Sequence, residues 1–202
     1  SPSVALDGLT ASFTTSGEPV GSNSDGSPDA FAWTDSAGIQ QVSSGSAGTA
    51  VDGADVSSDG GFVAFWHTGD LTGDNPDGSL ELFLAEIGGA THQLTDLGAT
   101  PYHSLPSVSA DGRHIAFILE ADLTGENPDD SWELFRWSGP PTTPGDPAAF
   151  RQITRWAPPM TGRELYDPSL RGAGRRISFA GRGHVAESQP DPLEVTLVSD
   201  AA

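Results

Sequence analysis

Two segments of the chain carry carboxylates at a spacing that suits a hard cation. Asp70-Leu-Thr-Gly-Asp74-Asn75-Pro-Asp77-Gly78-Ser-Leu-Glu81 returns 52 residues later as Asp122-Leu-Thr-Gly-Glu126-Asn127-Pro-Asp129-Asp130-Ser-Trp132-Glu133. Ca²⁺ takes roughly six to eight oxygen ligands from carboxylates, carbonyls and water. The candidate ligands are Asp70, Asp74, Asp77 and Glu81 in one loop and Asp122, Glu126, Asp129 and Glu133 in the other. Asn75, Asn127, Trp132 and, from a weaker copy further upstream, Asp25 mark the expected ligand-binding face. Asp70 to Glu81 has the length of an EF-hand loop, but Asn75 and Pro76 stand where that loop has glycine and a backbone ligand, so it is not an EF-hand. Asp, Asn, Pro and Gly are also the ordinary residues of tight turns, whose side chains cap backbone N–H groups. A solvated acidic hairpin is therefore the alternative to a cation site.

Other chemistries lack their residues. Cysteine and lysine are absent, which removes thiolate nucleophiles, thiolate metal sites and a P-loop. There is no G-x-S-x-G elbow and no H-E-x-x-H pair. Gly181-Arg-Gly183-His-Val-Ala186 matches a dinucleotide fingerprint only in letters, because no helix follows it. The five histidines, His67, His92, His103, His114 and His184, are scattered without metal-ligand spacing. Carboxylate pairs of the glycosidase kind are too easily found in so acidic a chain to identify one.

Acidity is the dominant property of the whole. The 202 residues include 28 Asp and Glu against nine Arg, a formal net charge of −19. Residues 1–112 hold 15 of the acids and no Arg; residues 113–202 hold 13 and all nine Arg. Such a charge argues against nucleic acid or an anionic membrane as partner and favours a protein or peptide, a basic one above all. No apolar run is long enough to span a bilayer, and the first residues lack a basic-then-apolar leader, so neither membrane insertion nor a signal peptide is expected. The missing lysine and the acidic surface point toward an extracellular or periplasmic location.

These loops are held by a repeat. Asp-Gly pairs at Asp7, Asp59 and Asp111 are 52 residues apart, as are Phe13, Phe65 and Phe117; a degraded fourth copy places Phe179 in that position. Each phenylalanine precedes a loop aspartate by 12 residues: Asp25, Asp77, Asp129 and Asp191. Runs such as Gly61-Phe-Val-Ala-Phe65-Trp66 and Arg113-His-Ile-Ala-Phe117-Ile-Leu119 are short and rich in β-branched and aromatic residues, as buried strands are. Trp132-Glu-Leu-Phe135-Arg-Trp137 alternates polar and apolar, and Arg151-Gln-Ile-Thr154 closes the unit. Trp66, Trp132 and Trp137 are expected to pack between such units, with Trp132 also placed to anchor a ligand. The third repeat is longer through the Pro- and Gly-rich segment from Gly139 to Pro147.

Pro106-Ser-Val-Ser-Ala-Asp111-Gly112-Arg-His-Ile-Ala-Phe117, then Glu133-Leu-Phe135 and Arg151-Gln-Ile-Thr154, resembles the TolB-type WD40-like (PD40) β-propeller repeat. It departs from that pattern where Val and Ala or Ser replace an aromatic and a proline before Asp-Gly, and where the fourth copy reads Ala173-Gly174. The resemblance implies a radial propeller used mainly for protein or ligand binding.

The expected fold is therefore all-β: one β-propeller domain over 1–202, with four blades of four antiparallel strands and repeats at about 2–53, 54–105, 106–167 and 168–202. The fourth repeat reaches only its third strand, Leu193-Glu-Val-Thr-Leu-Val198. That blade can stay incomplete in a compact four-bladed ring, belong to a longer parent, or take its missing strand from a second chain by self-association through the open blade edge. The expected function is a non-catalytic binding module with Ca²⁺ in its acidic hairpins. The alternatives are a glycosidase-like hydrolase on a propeller, and the propeller part of a larger peptidase or translocation protein.

Overall fold

The computed structural model describes residues 2–141, 143–155, 165–181 and 194–198, which form four sheets in chain order. β1 (Ser3–Val4), β2 (Thr10–Thr15), β3 (Asp29–Thr34) and β4 (Gly38–Gln41) make the first. The second holds β5 (Val51–Val56), β6 (Phe62–His67), β7 (Glu81–Glu86) and β8 (Thr91–Gln93). β9 (Ser107–Val108), β10 (His114–Glu120), β11 (Trp132–Ser138) and β12 (Phe150–Gln152) form the third, with a short 3-10 turn at Pro147–Ala149 inside its long insertion. The fourth has three strands, β13 (Leu165–Arg171), β14 (Arg176–Gly181) and β15 (Glu194–Val198). Neighbouring strands are antiparallel throughout the first three sheets, whereas β15 runs parallel to β14, a departure from the antiparallel expectation. No described helix is long and apolar enough to cross a membrane.

The period-2 alternation of a strand sends successive side chains to opposite faces, and here both faces of a sheet are used. Phe65 and Phe83 lie opposite each other and stack with ring centroids 5.8 Å apart; Phe13 with Phe31 and Phe117 with Phe135 repeat the pair at 5.7 and 6.0 Å. The Phe65–Phe83 face, with Val63, Ala85 and Val56, packs against Ala5, Ala30 and Ala32 of the first sheet. The opposite face of the second sheet, with Ala64, Trp66, Leu82 and Leu84, packs against Ile115, Phe117, Phe135 and Val108 of the third. Ala116, Ile118 and Leu134 of the third then meet Leu170, Ile177 and Phe179 of the fourth. The core is thus a series of layers between sheets, each sheet offering its phenylalanine face to the one before it.

The turns between the first two strands of each unit seal these layers. Gly60, Gly112 and Gly174 all have positive φ, and a Cβ on them would strike Thr10, Phe62 and His114 of the preceding sheet at 2.5, 2.4 and 2.0 Å. Glycine is required twice over, by conformation and by space. The innermost strands are also joined by polar contacts. Asp55 on β5 accepts from Ser3 Oγ of the first sheet at 2.7 Å and from the Val108 amide of the third at 2.8 Å.

Packing runs from each sheet to the next, and no comparable contact joins the first to the fourth among the described residues. The array is open, so the compact four-bladed ring expected as one outcome is not closed here.

Candidate functional site

The hairpins β2–β3, β6–β7 and β10–β11 lie at the same end of their sheets, because the registers Phe13 with Phe31, Phe65 with Phe83 and Phe117 with Phe135 are equivalent. Each is built on the same side-chain latch. Asn75 is buried and donates through Nδ2 to the Ser79 carbonyl at 2.9 Å, while Ser79 Oγ donates back to Asn75 Oδ1 at 3.1 Å. Asn127 and Ser131 repeat both bonds at 2.8 and 3.0 Å, and Asn23 donates to the Ser27 carbonyl at 2.7 Å. Side-chain bonds of this kind replace a backbone turn.

The last carboxylate of each loop belongs to the latch. Glu81 and Glu133 are buried at the start of β7 and β11. Thr95 and Thr154 donate their hydroxyls to these carboxylates and accept the Leu82 and Leu134 amides at 2.8 and 2.9 Å. Glu81 also accepts the Leu97 amide at 2.8 Å, and its Oε1 lies 2.7 Å from Ser79 Oγ, competing with Asn75 Oδ1 for the single hydroxyl proton. Burial pushes the Glu81 carboxyl above its usual range, against those hydrogen bonds. In the first sheet Asp29 does the same work, accepting from Ser43 Oγ at 2.8 Å, the Gly45 amide at 3.0 Å and Gln41 Nε2 at 3.0 Å.

The remaining predicted residues divide between turn caps and exposed acids. Asp70 Oδ1 accepts the Gly73 and Asn75 amides; Asp122 Oδ1 accepts those of Thr124, Gly125, Glu126 and Asn127. Asp77 and Asp25 cap Ser79 and Ser27, and these bonds hold both carboxyls below the usual range. Asp129 accepts the Ser131 amide at 3.4 Å. Asp74 is exposed, and Glu126 pairs with Arg155 at 2.5 Å. Among the described residues no group of three His, Asp or Glu converges as metal ligands.

The latch residues are not repeated in the fourth blade. At the positions equivalent to Asn75, Ser79 and Glu81 the fourth repeat has Gln189, Leu193 and Val195, so the residues that close the hairpin elsewhere are missing. Glu187 and Asp191, counterparts of the loop acids, lie outside the described residues.

Sequence reasoning missed Ser79, Ser131, Thr95, Thr154 and Tyr102. The signal was available, since Ser27, Ser79 and Ser131 keep the 52-residue step. Tyr102 is 58% exposed on the connection between the second and third sheets, and its ring stands 5.8 Å from that of Trp132. Trp132, at the base of the third acidic hairpin, is partly buried against the core between the third and fourth sheets; Trp66 and Trp137 are fully buried between sheets. Nearby, His103 Nε2 meets Asp52 Oδ2 at 3.3 Å, which lowers the Asp52 carboxyl. A shallow groove of about 270 Å³ opens between the first two hairpins, lined by Ser22, Gln41, Ser43 and Leu71.

Solved structures with the same arrangement include TolB from Acinetobacter baumannii, 22% identical with a TM-score of 0.50 over 86% of this chain and 35% of that one. Putative TolB from Agrobacterium tumefaciens gives 14%, 0.52, 87% and 50%. The oligogalacturonate lyase from Vibrio parahaemolyticus gives 14%, 0.50, 90% and 45%. The chain has a β-propeller fold. It spans about a third to a half of the length of these propeller proteins. No protein-family model matches the sequence, and no curated protein is significantly similar to it. In the propeller, the four sheets are blades and the acidic hairpins share one end of the array.

Proposed function

We propose that this propeller is a binding module whose hairpin face takes a positively charged peptide segment. The observation that carries the reading is the Tyr102–Trp132 pair, half in solvent, standing beside a hairpin that exposes Asp129 and Asp130. Aromatic faces and carboxylates together attract Arg and Lys side chains by cation–π and ionic contact. The second hairpin adds exposed Asp70, Asp74 and Asp77, in a half of the chain without Arg or Lys. The latches fix these loops on rigid strands, as a recognition surface requires. The likeness of the repeat to TolB-type propellers supports a binding role.

The latch carboxylates Asp29, Glu81 and Glu133 serve the fold, since each is buried and accepts hydroxyls or backbone amides. Fluorescence anisotropy with a labelled Arg- and Lys-rich peptide tests the function. Binding should weaken as salt rises and fall several-fold in Trp132→Ala and in an Asp129→Asn, Asp130→Asn double variant. Equal binding of an acidic peptide of the same length would contradict the proposal.

A further inference from the structure

Repeat-equivalent residues show that, among the described residues, no blade packs on the phenylalanine face of the first blade. Val56 and Val108 are 5% and 4% exposed, each packed against the preceding blade, whereas Val4, at the same place in the first blade, is 63% exposed. Gly60, Gly112 and Gly174 abut the blade before them, but a Cβ on Gly8 would meet nothing within 4 Å. Leu6 is 89% and Leu9 52% exposed beside it. Ala11, Phe13 and Trp33, on the same side of the sheet as Val4, are only half-buried, although Phe65 and Phe117 are fully enclosed.

The fourth blade presents the complement. Within the first blade, Ser3 pairs with Ser12, and both reach the second blade: Ser3 Oγ donates to Asp55 and Ser12 Oγ to the Ala54 carbonyl at 2.7 Å. Ser107 of the third blade likewise accepts the Leu170 amide of the fourth at 3.0 Å. In the fourth blade the equivalent pair is Ser169 and Ser178, on the side of the sheet away from Leu170 and Phe179. Exposed Arg171 and Arg175 border it, while residues 1–112 are acidic without Arg or Lys.

We propose that the phenylalanine face of the first blade docks on the Ser169–Ser178 face of the fourth blade in a second copy of this chain. The contact repeats the interface already made three times within one chain: Val4 becomes buried like Val56, and its amide faces Ser169 as that of Leu170 faces Ser107. It is heterologous, so two copies closing on each other would make a ring of about eight blades, the upper end of the usual propeller range.

Analytical ultracentrifugation of the 202-residue chain tests this, with circular dichroism confirming the fold of each variant. The wild type should sediment at twice the 20.9 kDa mass of one chain at tens of micromolar. Val4→Asp and Ser169→Glu, each spoiling one face, should sediment as monomers or far weaker dimers. Mixing the two variants should restore association through the one pair of intact faces. A wild type that stays monomeric at hundreds of micromolar would overturn the proposal and assign the first face to other blades of a longer polypeptide. Association of Ser169→Glu alone at wild-type strength, or failure of the mixture to associate, would overturn the head-to-tail geometry.

Discussion

The Ser3 hydroxyl of the first blade donates to the Asp55 carboxylate of the second at 2.7 Å. The same carboxylate accepts the Val108 amide of the third, so one side chain joins three blades at their inner strands. Burial pushes the Asp55 carboxyl above its usual range, with the two hydrogen bonds opposing. A folded-state value above the unfolded one means that its contribution is whole at low pH and lost as pH rises through the folded value. Asp55→Asn, which stays neutral, should therefore gain stability relative to the wild type as pH is raised from about 4 to about 7. Urea unfolding at both pH values measures the difference. A gap that does not widen with pH would contradict the assignment. Asp55→Ala should cost about 1–3 kcal/mol by leaving the Val108 amide without its acceptor.

The hairpin latch predicts which polar residues the fold cannot lose. Thr95→Val keeps the shape but removes the donor to Glu81 and the acceptor of the Leu82 amide. It should destabilise by about 2–4 kcal/mol as two buried groups lose partners, while Thr95→Ser restores most of the loss. Asn127→Ala should cost a similar amount, and thermal melts of the three variants report it. Changes below about 0.5 kcal/mol would remove the latch from the account.

His67 is fully buried on β6 and accepts the Gly69 amide through Nδ1 at 2.7 Å. Its Nε2 stands 3.7 Å from Asp29 Oδ1, beyond hydrogen-bond reach. Burial lowers its pKa, with the Asp29 charge pulling the other way. The neutral ring therefore supports folding above the ordinary histidine value of about 6.5, and that support is lost as pH falls through the lower folded value. An NMR titration of the imidazole should show a midpoint below that of free histidine. A midpoint at or above it would mean that the Asp29 charge outweighs burial.

Calcium has a clear readout at the same loops. Glu81 and Glu133 are buried in the latch, but Asp70, Asp77 and Asp122 accept through Oδ1 and keep lone pairs for a cation, so the expected Ca²⁺ is discarded if the melting temperature is unchanged at millimolar Ca²⁺. An upward shift reversed by EDTA would show a cation held by the folded state alone.

Much of this architecture is legible in the sequence because a repeat writes each structural need several times over. The Asp-Gly turns, the stacked phenylalanines and the loop aspartates keep one spacing, and the blades follow from it. The roles of Glu81 and Glu133 were not legible, since residue type says what a carboxylate can bind and not which way it points. Only the register that sets Thr95 and Thr154 beside them makes them latches. The parallel β15 was not legible either: residue types in Glu194–Val198 suit a strand but do not set its pairing direction. Tyr102 has no aromatic counterpart one repeat step earlier, where Ala50 stands, and the insertion that lengthens the third repeat breaks the step in the other direction, so periodicity could not find it.

The most direct test of the binding face is an NMR titration of ¹⁵N-labelled protein with an Arg- and Lys-rich peptide. Shift changes should concentrate on the Trp132 indole and on amides of 68–80, 99–105 and 121–132. Changes centred instead on the Asp-Gly turns at the other end of the blades, or none at millimolar peptide, would contradict the account.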